Sequence, residues 1–271
     1  MVTKRFEINK ENNVYLDCML HNDGVIRPAI LVCPGGGYMV LAPHEGEVIA
    51  QKYFKQGYNT FILYYSLGEK AAFPTPLVEA SIAMKIIRDN AKEFNVNYKK
   101  IAVIGFSAGG HLAASLGVNW NLPEVAEKSG CQNGENRPDA LILCYPVITT
   151  RSWMAPHLPR LVGDRNVDQT AKLLDCSLNV GPHTPPAFMV HTFMDNTVAV
   201  NESMDFAYAL EKANIPYELH IFPNGKHGLG LGDGNKAFSQ WFNLSNVWLE
   251  ELFSDEEKAP APARAIRQPK N

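Results

Sequence analysis

Along the chain, short runs of consecutive apolar residues alternate with longer stretches in which apolar positions recur every three or four residues. Unbroken apolar runs mark strands covered on both faces, and the wider spacing marks amphipathic helices. The pattern predicts central strands at Ala29–Cys33, Thr60–Tyr65, Ile101–Gly105, Ala140–Tyr145, Ala187–Thr192 and Tyr217–Phe222. Lys4–Ile8 and Val14–Leu20 instead alternate polar and apolar residues, which predicts an antiparallel hairpin on the sheet edge. Helices are expected over Glu45–Gln56, Gly110–Val118, Glu202–Ala213 and Lys236–Phe253. Another opens with Thr75 as cap and Pro76 at its first position, with Val78, Ile82, Ile86 and Ile87 at helical spacing. Strands and helices taken in turn specify an α/β fold, a mostly parallel sheet of eight strands with helices on both faces.

Residues 254–271 carry Pro260, Pro262 and Pro269 among charges and alanines and read as a carboxy-terminal tail. That leaves 1–253 as a single domain. The 271 residues include 25 basic and 28 acidic side chains, for a net charge of -3. Without a basic excess or a long charge block, neither nucleic acid nor a membrane surface is an expected partner. No apolar run approaches the roughly 20 residues of a membrane span, and the amino terminus lacks the pattern of a secretory signal. Five cysteines form an odd set without a C-x-x-C pair, and the simplest setting for them is the reducing cytoplasm. No closely spaced histidine or cysteine cluster suggests a metal, so no metal or cofactor is expected.

Four loops carry the chemistry. The strand Ile101–Gly105 runs into Gly105-Phe106-Ser107-Ala108-Gly109, and a helical stretch follows. G-x-S-x-G between a strand and a helix is the setting of a serine lifted on a tight turn, with small residues on either side for close backbone approach. A Walker loop would need Lys where His111 stands, and no dinucleotide G-x-G-x-x-G is present. Ala29–Cys33 ends in Pro34-Gly35-Gly36-Gly37-Tyr38, whose backbone N–H groups suit a developing negative charge or, alternatively, a phosphate. Gly36, Gly37 and Ala108 fill the positions of oxyanion donors.

A serine nucleophile needs a histidine to take its proton and an acid to orient that histidine. After Ala187–Thr192 the first bend holds Asp195, and after Tyr217–Phe222 the loop Pro223–Gly228 holds His227. His191 and His220 lie inside strands, His111 sits at the start of the helix after the serine turn, and His21, His44, His157 and His183 fall in loops. Asp164, Asp168 and Asp175 precede the Ala187–Thr192 strand and are poorly placed as orienters. Ser107, Asp195 and His227 are therefore the expected catalytic set.

The runs CPGGGY (33–38), GFSAGGHLAASL (105–116), PPAFMVHTFMDNTV (185–198) and ELHIFPNGKHGLGL (218–231) resemble the α/β-hydrolase superfamily. More closely they are similar to its small bacterial acetyl esterases and acetylxylan esterases. Pro34 departs from the His that lipase-like relatives often carry there, and His44-Glu45 departs from a basic residue before the acid. The resemblance implies an α/β-hydrolase fold and a serine carboxylesterase acting through Ser107, Asp195 and His227. It implies a small-molecule ester as substrate, an acetylated sugar among the choices, and leaves a homo-oligomer open. An amidase or arylformamidase-like hydrolase with the same residues, or a non-catalytic binding protein of this fold, remain alternatives. The 146–185 segment is where such enzymes insert a cap. Here it is short, which suits acetyl better than a long acyl chain. Tyr38, Trp153 and Met154 are candidate substrate contacts. A histidine base, with an ordinary pKa of about 6.5, predicts activity rising through roughly pH 6–7.

Overall fold

The computed structural model describes residues 1–254, so all of the expected tail except Ser254 lies outside the described residues. Eight strands form one sheet in the order β1-β2-β4-β3-β5-β6-β7-β8. They are β1 (Val2–Asn9), β2 (Val14–Leu20), β3 (Arg27–Cys33), β4 (Asn59–Tyr64), β5 (Val96–Phe106), β6 (Ala140–Cys144), β7 (Ala187–Thr192) and β8 (Tyr217–Phe222). β1 and β2 form the expected edge hairpin, and β2 joins β4 antiparallel. Every pairing from β4 through β8 is parallel.

The helices are α1 (Glu47–Phe54), α2 (Thr75–Asp89), α3 (Ala91–Phe94), α4 (Ala108–Asn119), α5 (Pro123–Ser129), α6 (Leu158–Val162), α7 (Val167–Leu174), α8 (Asn201–Lys212) and α9 (Trp241–Leu252). The unbroken apolar strands are explained by two cores, one on each face of the sheet. Ala29, Leu31 and Cys33 of β3 face a core completed by α2, α4 and α8. Ile30 and Val32 face a second core completed by α1 and α9, where Tyr53 and Trp241 are fully buried. Truncating either large side chain to alanine is expected to cost about 3–5 kcal/mol, as for other buried aromatics. All five cysteines are buried and free. Among the described residues, no helix is long and apolar enough to cross a membrane.

Two local expectations need correction. Thr75 does not cap α2. The Val78 N–H bonds to the Pro74 carbonyl at 2.9 Å, so the helix begins one residue earlier and Thr75 is already helical. The buried face of α2 is Leu77, Ala80, Ala83, Met84 and Ile87, while Val78, Ile82 and Ile86 lie at its partly exposed margin. Small Ala80 and Ala83 complete that buried stripe beside Leu77, Met84 and Ile87. β5 also begins at Val96, not Ile101, because exposed Tyr98 and Lys99 and half-buried Lys100 interrupt the buried apolar run without breaking the strand.

Candidate active site

Parallel strands all present their carboxyl ends on one side, and the four singled-out loops leave β3, β5, β7 and β8 there. Immediately past β5, Ser107 has φ 53° and ψ -118°, a conformation costly for any residue with a Cβ. Its N–H bonds the Cys144 carbonyl of β6 at 3.0 Å, and its carbonyl accepts from His111 at 3.0 Å in the first turn of α4. The surrounding glycines are required by contact. A Cβ on Gly109 would lie 2.1 Å from the Cys33 carbonyl oxygen, one on Gly105 would lie 2.1 Å from that of Gly109, and one on Gly110 would lie 2.8 Å from Pro146. Strand, turn and helix interlock only with hydrogen at these positions.

Ser107, His227 and Asp195 come together although 120 and 32 residues separate the successive pairs. The Ser107 hydroxyl meets His227 Nε2 at 2.7 Å, and His227 Nδ1 meets Asp195 Oδ2 at 2.6 Å. Asp195 Oδ1 accepts the N–H groups of Thr197 and Val198, each at 2.9 Å. Burial opposes ionisation of Asp195. Hydrogen bonds from His191, His227 and the Val198 N–H outweigh it and hold the carboxyl well below its ordinary range. The aspartate is therefore a fixed anion beside the imidazole.

His191 is the residue that sequence reasoning undervalued here. It lies fully buried in β7, and its Nε2 stands 2.9 Å from the Val198 carbonyl and 3.4 Å from Asp195 Oδ2, while Ser203 holds Nδ1 at 2.8 Å. A histidine inside an apolar strand reads as packed, and nothing local shows that the bend after the strand folds back onto it.

Gly36 and Gly37 have φ of 128° and 66°, values that glycine adopts freely. The N–H groups of Gly36, Gly37 and Ala108 have no hydrogen-bond acceptor among the described residues. The loop is held from several sides. Glu45 Oε2 accepts the Gly35 N–H at 2.9 Å, the Tyr65 hydroxyl donates to the Pro34 carbonyl at 2.5 Å, and Arg160 reaches the Gly37 and Tyr38 carbonyls at 3.3 and 3.4 Å.

The three suggested substrate contacts are placed differently. Tyr38 is 3% exposed with its hydroxyl on His111 Nδ1 at 2.8 Å, and Met154 is fully buried. Trp153 keeps accessible surface and lies 3.4 Å from where a Cβ on Gly37 would sit. His111, also held by the Leu174 carbonyl, is kept neutral by burial, which lowers its pKa. Of the histidines assigned to loops, His44 contacts the loop that carries His227, its Nε2 on the Gly228 carbonyl at 3.0 Å.

Residues 16–210 match the BD-FAE family model. The chain is 39% identical over 231 residues, 82% of its length, to endo-1,4-beta-xylanase B of Butyrivibrio fibrisolvens. It is 28% identical to the acetylxylan esterase of Xylanibacter ruminicola across an alignment 284 positions long that covers 97% of this chain. Those alignments span 35% and 53% of the relatives, so the chain matches about a third to a half of each. Among solved structures, the acetyl ester-xyloside bifunctional hydrolase of Caldicellulosiruptor lactoaceticus superposes with a TM-score of 0.79 at 33% identity. That match covers 89% of this chain and 88% of the other. A carboxylesterase from Lactobacillus plantarum superposes with a TM-score of 0.83 at 25% identity, covering 94% of this chain and 100% of the other. The chain has the α/β-hydrolase fold and belongs to the BD-FAE family.

Proposed function

We propose that the chain is a serine carboxylesterase that releases short acyl groups, acetyl above all, from carbohydrate esters. The observation that carries this reading is the continuous Ser107–His227–Asp195 hydrogen-bond chain at 2.7 and 2.6 Å. Ser107 Oγ attacks the ester carbonyl while His227 Nε2 takes its proton. The tetrahedral oxyanion lies against the N–H groups of Gly36, Gly37 and Ala108, each such donor being worth about 3–4 kcal/mol in comparable sites. Collapse breaks the bond to the alcohol oxygen, which leaves with the proton that His227 took from Ser107, and an acyl-serine remains. Water, deprotonated by the same histidine, then releases the carboxylic acid and restores Ser107. Asp195 holds the imidazole tautomer and stabilises its cation.

Acetyl is favoured by the short 146–185 segment, whose Trp153 stands over Gly37. Carbohydrate as the alcohol part is favoured by the similarity to an acetylxylan esterase and to an acetyl ester-xyloside hydrolase. The test is a panel of p-nitrophenyl acetate, butyrate and octanoate with acetylated xylo-oligosaccharides, read as released acid. Turnover should fall steeply from acetate to octanoate, and acetate should appear from the oligosaccharides. A preference for octanoate, or no ester turnover at all, would refute the reading.

A further inference from the structure

Two glycine-rich loops must be in register for this chemistry, one carrying Gly36 and Gly37 and the other carrying His227. Such loops have little rigidity of their own. We propose that Glu45 and Tyr145 are positioning residues that join the two loops through one buried hydrogen-bond chain and set them against Ser107. The inference rests on the esterase reading of that site.

The chain is short and continuous. The Gly35 N–H donates to Glu45 Oε2 at 2.9 Å, the Tyr145 hydroxyl donates to Glu45 Oε1 at 2.6 Å, and the Gly230 N–H donates to the Tyr145 hydroxyl at 2.8 Å. Glu45 is 2% exposed and Tyr145 is 1% exposed, so water does not compete for these bonds. Burial and the neighbouring Glu45 carboxylate push the Tyr145 phenol well above its ordinary pKa, which keeps it a donor. Contacts confirm how closely the loops meet. A Cβ on Gly35 would lie 2.5 Å from Glu45 Oε2, and one on Gly230 would lie 3.0 Å from His44. The Gly230 carbonyl is also held, by Trp241 Nε1 at 3.0 Å.

Tyr145 shows a second mark of a purpose beyond packing. It stands directly after β6 with φ 38°, in the left-handed region that an aromatic residue rarely occupies. Strain of this kind persists only where the surroundings enforce it. Here the Tyr145 N–H bonds the Val190 carbonyl at 2.7 Å while its hydroxyl is held at the far end, and its ring meets the His227 ring at 5.1 Å. A phenylalanine would fill the same space. Of the Tyr145 side chain only the hydroxyl links the loops, beside the half-exposed His44–Gly228 bond at 3.0 Å.

The experiment is steady-state turnover of p-nitrophenyl acetate by wild type, Tyr145→Phe, Glu45→Gln and the double variant, with thermal melting alongside. A displacement of about an ångström costs roughly 10²-fold in rate. Tyr145→Phe should therefore lose between about 10- and 100-fold in kcat with KM within about threefold. The double variant should be no slower than the slower single, since both remove one linkage. Folded Tyr145→Phe with kcat within twofold of wild type would overturn the proposal, as would a loss confined to KM or single effects that multiply in the double. Should Glu45→Gln fold poorly, Tyr145→Phe decides by its kcat and KM alone, because it removes one oxygen. A wild-type protein without turnover would fail the esterase reading, whereas an active wild type with an unaffected Tyr145→Phe fails this inference alone.

Discussion

The loops at the carboxyl ends of the strands and the 146–185 segment that meets them are built in opposite ways. Under the loops, each close approach is enforced by a backbone contact or a buried bond. Gly105, Gly109 and Gly110 admit no side chain, and buried Glu45, Tyr145 and His191 bond to the loops or to Asp195. The 146–185 segment is a series of short pieces, including α6 and α7, and it reaches the Gly36–Gly37 loop through Arg160 and Trp153. The difference teaches where tolerance lies. Changes beneath the site should abolish chemistry or folding, whereas changes in the segment above should adjust rate and selectivity.

The largest break is expected at Asp195. Asp195→Asn leaves an acceptor for the Val198 N–H but no anion beside His227, and kcat should fall about 10⁴-fold, measured on p-nitrophenyl acetate. The same variant has a pH signature. Because the folded-state pKa of Asp195 is lowered from its ordinary 3.8, its share of stability is complete above that value and is lost as pH falls through the folded value. Melting curves should show Asp195→Asn less stable than wild type at pH 7, with the gap closing below pH of about 3.8. A gap that widens in acid would contradict the assignment.

Gly109→Ala comes next. Its new Cβ would meet the Cys33 and Pro34 carbonyl oxygens at 2.1 and 2.3 Å, backbone that cannot move without shifting β3. A loss at the upper end of the about 1–3 kcal/mol typical of overpacking, visible in denaturant unfolding, is expected. Wild-type stability in Gly109→Ala would mean that the turn is looser than described.

Above the site the effects should shrink. Arg160→Ala removes bonds to the Gly37, Tyr38 and Gly68 carbonyls and should lower kcat about tenfold without changing the melting temperature by more than a few degrees. Trp153→Ala should change the acetate-to-butyrate ratio of kcat/KM by only several-fold, in favour of butyrate, as expected for one apolar wall. Losses in these two variants as deep as that of Asp195→Asn would erase the contrast between the two regions.

The same contrast governs what could be read from the chain. The strands were legible because burial on both faces leaves unbroken apolar runs, as in β6 and β7. The serine turn was legible because its glycines are a local steric requirement. Glu45 and Tyr145 were not, since they lie 100 residues apart and their bond exists only once the sheet is assembled. His44-Glu45 stood out in the sequence only as a departure from relatives. His191 was hidden for the opposite reason, because its strand looks complete without a polar role. The broken pieces of 146–185 offer no sustained periodicity, and their substrate contacts could not be ranked by pattern. Tyr38 and Met154 are buried, and Trp153 retains surface.

The central claim is that Ser107 is the nucleophile. Its most direct test is to react the folded protein with a fluorophosphonate and locate the added phosphonate by peptide mass spectrometry. One equivalent on Ser107, absent in Ser107→Ala and accompanied by loss of ester turnover, is the predicted result. Labelling at another residue, or turnover that survives in Ser107→Ala, would contradict it.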